Sequence, residues 1–61
     1  MKLAWIRWQG GIETRDDGFK IYPAGLRVLL VFPDKKRVFF ETRELAKRFA
    51  DEFSVIVQKP L

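Results

Sequence analysis

Turn-forming residues cut the first two thirds of this chain into pieces too short for most helices and well sized for strands. Gly10-Gly11, Asp16-Asp17-Gly18, Pro23-Ala24-Gly25 and Pro33-Asp34-Lys35-Lys36 recur at short intervals. Glycine opens positive φ at little cost, proline removes a backbone donor, and aspartate hydrogen-bonds its own turn. After Thr42 there is no glycine, and the only proline is Pro60, near the end. Strand-sized segments followed by one long uninterrupted segment predict an α+β domain.

The segments alternate as strands should. Over Leu3 to Gln9, the residues Leu3, Trp5 and Arg7 share one face, and Ala4, Ile6 and Trp8 the other. Apolar groups on both faces suggest a strand covered on both sides or lying at an interface. Ile12 to Arg15 forms a short second strand, joined through the Asp16-Asp17-Gly18 loop to a third at Phe19 to Tyr22. Phe19 and Ile21 then oppose Lys20 and Tyr22 across that third strand. Leu26 to Phe32 is apolar on both faces beyond Arg27, which places it centrally in the sheet. Arg37 to Glu41 returns antiparallel to it, with Val38 and Phe40 facing away from Arg37, Phe39 and Glu41.

At Thr42 the period changes. Thr42 can cap a helix and Glu44 suits its first turn. Leu45, Phe49 and Phe53 recur at four-residue spacing with Ala46 and Ala50 beside them, which makes an apolar stripe on a helix over Arg43 to Phe53. Glu44–Arg48, Lys47–Asp51 and Arg48–Glu52 are spaced for helical ion pairs. Ser54 to Gln58 is β-branched enough for a last strand, and Lys59-Pro60-Leu61 reads as a tail. The expected architecture is one domain, residues 1–61, with an antiparallel sheet of four or five strands on one helix.

A domain of 61 residues buries only about 60% of its unfolded surface, so its core needs every large apolar side chain. Oligomerisation is one way to supplement such a core, and a homodimer anchored by Trp5 and Trp8 fits the doubly apolar first strand. There is no Cys, so no disulfide or thiolate metal site exists, and a reducing, cytoplasmic compartment is expected. No apolar run reaches membrane-spanning length, and no signal-peptide pattern opens the chain.

Catalysis finds little support. Nucleophilic mechanisms need a Ser, Cys or Thr beside a base, and the chain has no His and only Ser54, Thr14 and Thr42. Asp16-Asp17 before a glycine is better explained as a turn than as a metal site. Gly10-Gly11 lacks the phosphate-loop pattern. We expect a non-enzymatic protein with no metal and no cofactor.

A net charge of +4 favours an anionic partner. The candidate surface is a sheet face on which Arg7, Lys20, Arg27 and Arg37 accompany Trp5, Trp8 and Tyr22, with Lys35 and Lys36 at a hairpin tip. Rings can stack unpaired bases and cations can hold phosphates. The same rings could instead close the core while the cations solubilise strand edges. The leading expectation is a nucleic-acid-binding protein, DNA ahead of RNA. The alternative is a protein-interaction or inhibitor module, a small accessory protein of a phage or compact genome, with exposed tryptophans meeting an acidic protein.

The segment Phe40-Glu41-Thr42-Arg43-Glu44-Leu45-Ala46, continuing to Phe49-Ala50-Asp51, resembles the strand-to-helix segment of AP2/integrase-type DNA-binding domains. Those domains lay a three-stranded antiparallel sheet in the major groove with a helix behind it. The resemblance implies Arg7, Arg15, Lys20, Arg27 and Arg37 as DNA-contacting residues. The family's upstream glycine and arginine pattern is missing, and a strand after the helix would be foreign to it.

Overall fold

The computed structural model describes residues 4–58, with side chains described through Phe53. Five strands form one antiparallel meander: β1 (Trp5–Arg7), β2 (Glu13–Arg15), β3 (Lys20–Ala24), β4 (Arg27–Val31) and β5 (Arg37–Phe40). Each pairs only with its sequence neighbours, so β1 and β5 are the two edges. A single α-helix, α1 (Arg43–Gln58), crosses one face, and a short 3-10 turn at Gln9–Gly11 links β1 to β2. This is the α+β arrangement expected, with β4 interior to the sheet.

Two of the connections are built alike. In the β2–β3 hairpin the Arg15 amide donates to Phe19 O (2.9 Å) and the Gly18 amide to Arg15 O (3.0 Å). In the β4–β5 hairpin the Phe32 amide donates to Lys36 O (2.8 Å) and the Lys35 amide to Phe32 O (2.9 Å). The fourth residue of each loop is left-handed, Gly18 at φ 102° and Lys35 at φ 78°. Gly18 also has a steric reason to be glycine, because a Cβ there would sit 3.1 Å from Pro33 Cβ. Lys35 is the only non-glycine with positive φ among the described residues. At the β3–β4 tip, Leu26 lies in the turn with Gly25 and is fully exposed, so β4 begins one residue later than expected.

Residues paired across an antiparallel ladder share a face, so the register sorts the whole sheet. Ile21 pairs with Leu30 and Leu30 with Val38, while Val28 pairs with Phe40. This series faces α1. Phe19, Ile21, Val28, Leu30 and Phe32 are buried with Ala46 and Ala50 of the helix, whose small side chains let it approach closely. Around them Phe32 meets Phe53 and Phe49 edge-on, at centroid distances of 4.9 and 5.8 Å, and Phe40 meets Phe49 at 5.3 Å. Edge-to-face pairs of this kind add about 0.5–1.5 kcal/mol each beyond area burial. Thr42 caps the helix as expected, its Oγ1 accepting from the Leu45 amide at 3.2 Å.

Two expectations are corrected. The helix runs on through Gln58, so residues 54–58 form no final strand. No break separates Phe53 from Ser54, and Val57 continues the four-residue spacing of Phe49 and Phe53, so the helical period extends over the β-branched run. Lys47 and Asp51 do not pair along the helix but turn inward to the sheet. Leu3 and the Lys59-Pro60-Leu61 tail lie outside the described residues. No described helix is long and apolar enough to cross a membrane.

Candidate nucleic-acid interface

The two faces of the sheet differ in what happens to their charges. On the helix side, β2 carries two ionised residues that are nearly inaccessible, Glu13 at 3% exposure and Arg15 at 5%. Both are fully engaged. Glu13 accepts from Arg43 Nη1 at 2.6 Å and from Lys47 Nζ at 2.7 Å, with Arg7 Nη2 at 3.5 Å. Burial acts to raise its pKa, yet the hydrogen bonds from Lys47 and Arg43 and the charges of Lys47 and Arg7 prevail. The carboxyl is held below the ordinary glutamate value.

Arg15 forks onto Asp17 through Nε (2.8 Å) and Nη2 (2.7 Å), and its Nη1 bonds Asp51 of the helix. Its guanidinium also lies 5.1 Å from the Trp5 ring and 4.9 Å from that of Phe19. Burial disfavours its charge, but the hydrogen bonds and charges of Asp17 and Asp51 outweigh this and raise its pKa. The helix line Arg43, Lys47, Asp51 thus meets the strand pair Glu13, Arg15 with opposite signs in register. This clasp seats α1 on β2.

The opposite face carries no helix. Its rows follow from the ladder: Ile6, Thr14, Lys20, Val31 and Arg37 in one line, Tyr22, Leu29 and Phe39 in the next, then Ala24 and Arg27. Trp8 joins the first line at its outer end, where its Nε1 donates to Thr14 Oγ1 at 2.8 Å. Trp8 is 56% exposed and Phe39 53%. The Arg27 guanidinium sits 4.9 Å from the Phe39 ring centroid, a cation–π contact that also holds both groups at the surface. Between the lines lies an open depression of about 530 Å³ lined by Lys20, Tyr22, Leu29, Val31, Lys35 and Arg37, with Gly18, Phe32 and Pro33 at its end.

Among the described residues Lys20, Arg27, Lys35 and Arg37 form no ion pair, whereas Lys36 is 3.9 Å from Asp34. The alternating pattern therefore brings Lys20, Tyr22, Arg27, Arg37 and Trp8 together on one open face, with Lys35 reaching it from the hairpin tip. It does not bring in Trp5 or Arg7. Trp5 pairs with Arg15 and Arg7 with Glu13 on the helix side, where Trp5 is half-buried beneath Arg15 and Lys47. Arg15, implied by the AP2/integrase resemblance, is buried and saturated by carboxylates. The sheet also has five strands where that resemblance implies three.

Phe39 belongs to the same open face. Its alternation with Val38 and Phe40 already put it beside Arg37, and its exposure follows from its place on an edge strand with no helix above. Among the described residues no cluster of acidic side chains is arranged to hold a metal ion. No family model, curated protein or solved structure matches this chain.

Proposed function

We propose that the open face binds single-stranded nucleic acid, DNA in the first instance, without enzymatic activity. The observation that carries this reading is the separation of a ring row from a cation row on one uncovered face. Tyr22 and Phe39 lie two residues along their strands from Lys20 and Arg37, which is about 6.6 Å. Within each row the members sit two strands apart, roughly 9.6 Å. A strand of nucleic acid laid across β3 to β5 can set bases on one row and phosphates on the other. The depression between them accepts the sugar and a base edge.

Duplex DNA fits this surface less well, because its bases are stacked inside and cannot reach the rings. The interaction-module reading had two tryptophan anchors, and Trp5 is no longer available to a partner. Trp8 remains, at the far end of the same open face.

The test is fluorescence anisotropy with labelled single-stranded DNA, single-stranded RNA and duplex DNA over a range of salt. Single strands should bind more tightly than duplex, with log affinity falling by about 0.7 per phosphate contact for each decade of salt. Tyr22→Ala and Phe39→Ala should each weaken single-strand binding by about 1–3 kcal/mol. If no nucleic acid binds at low salt, the proposal is wrong.

A further inference from the structure

We infer that β5 is a self-pairing edge, through which two copies of this chain join their sheets into one. Edge strands that must stay single usually carry an inward-pointing charge, a proline or a bulge. β5 carries none of these on its helix side, where its residues are Val38 and Phe40. Val38 is exposed, and so are Leu45 and Phe49 of the helix, which flank the same edge. The helix reaches β5, where Phe49 packs on Phe40, but Val38, Leu45 and Phe49 still leave an apolar margin exposed there.

The sequence of the edge specifies its occupant. Two copies related by a two-fold axis through the sheet at Phe39 pair Phe39 with Phe39, Val38 with Phe40, and Arg37 with Glu41. Glu41, an exposed residue in the bend just beyond β5, then falls opposite Arg37 of the second copy, so each edge presents a positive and a negative end in self-complementary order. A slip of one residue is forbidden, because opposite residues would then come from opposite faces and the two helices could not lie on the same side. In the permitted register both helices share one side, and Leu45 and Phe49 of each copy close over the paired Val38 and Phe40. The two open faces become continuous, which lengthens the proposed binding surface and gives each Arg37 an acidic neighbour at the seam. The pairing does not require that surface to bind anything.

Sedimentation equilibrium of the full chain at 0.15 M salt tests the inference, with no nucleic acid present. The wild type should dimerise. Arg37→Glu and Glu41→Arg should each raise the dimer dissociation constant about ten-fold, because each places like charges opposite one another twice per dimer. Combining both reversals should restore the wild-type constant, since the pair is simply exchanged. Val38→Lys should give monomers. Circular dichroism of each variant guards against unfolding, and the charge reversals lie at exposed positions where folding is not at risk. A wild type monomeric up to millimolar concentration would overturn the inference. So would a dimer indifferent to Val38→Lys, or a double reversal no better than the single ones.

Discussion

Replacing Lys35 with glycine should make this protein more stable and a poorer ligand binder. Lys35 occupies the left-handed position of a hairpin loop whose counterpart at the β2–β3 hairpin is Gly18. For a residue with a Cβ that conformation costs roughly 1–2 kcal/mol. Glycine would remove the cost but has more freedom to lose on folding, about 0.5–1 kcal/mol. The difference is a gain of about 0.5–1 kcal/mol, since the exposed lysine side chain makes no ion pair that would be lost. For a domain of this size that corresponds to a rise in Tm of about 2–8 °C, read by circular dichroism. Lys35 also lines the depression on the open face, so anisotropy titrations of Lys35→Gly should show a salt slope shallower by about 0.7. Lys35→Asn serves as a control, as asparagine tolerates the left-handed region better than lysine and carries no charge. A lower Tm for Lys35→Gly would refute the strain argument. A higher Tm with an unchanged salt slope would refute the claim that the cation is kept there for a ligand.

Two further predictions concern the fold. Glu13 has a lower pKa folded than unfolded, so the unfolded chain binds its proton more readily, and the stabilisation is present above the unfolded value near 4.3 and lost as pH falls through the folded one. Thermal melts should show the wild type losing stability through that acidic window and Glu13→Gln losing less. At neutral pH, Glu13→Gln should be less stable by about 2–3 kcal/mol, below the usual cost of breaking a buried pair because Arg7, Arg43 and Lys47 all reach water. Equal pH dependence in the two proteins would show that Glu13 is not the responsible carboxylate. Gly18→Ala should destabilise by at least 1 kcal/mol through left-handed strain and the approach to Pro33, measurable as a lower urea midpoint. An unchanged midpoint would mean that the loop relaxes freely.

The hairpins were legible in the sequence because each turn announces itself with glycine, proline or aspartate and each strand alternates between turns. The start of the helix was legible for the same kind of reason, a capping threonine and a change of period at one place. Its end was not, because Ser54-Val55-Ile56-Val57 has strand propensity and no capping glycine marks a stop. The helix nevertheless continues through Gln58. The faces of β1 were sorted correctly by alternation, but apolar groups on both sides concealed which one meets the helix. That choice is made by Glu13 and Arg15, the cross-strand partners of Arg7 and Trp5. Their burial depends on Arg43, Lys47 and Asp51, about thirty residues away in sequence. Local patterns can pair charges along a helix, but they cannot show that the helix will spend those charges on a strand.

The clasp on the helix side also sets how the molecule meets a charged object at a distance. Glu13, Asp17 and Asp51 offset three of the four positive charges of Arg7, Arg15, Arg43 and Lys47 on one side, whereas Lys20, Arg27, Lys35 and Arg37 form no ion pair on the other. Among the described residues, positive charge without an ion-pair partner is therefore gathered on the uncovered face. In the field of a polyanion such a body feels a torque as well as an attraction, and turns its uncovered face forward before contact. Fewer encounters then begin in the wrong orientation, and at low salt association is faster than net charge alone would give.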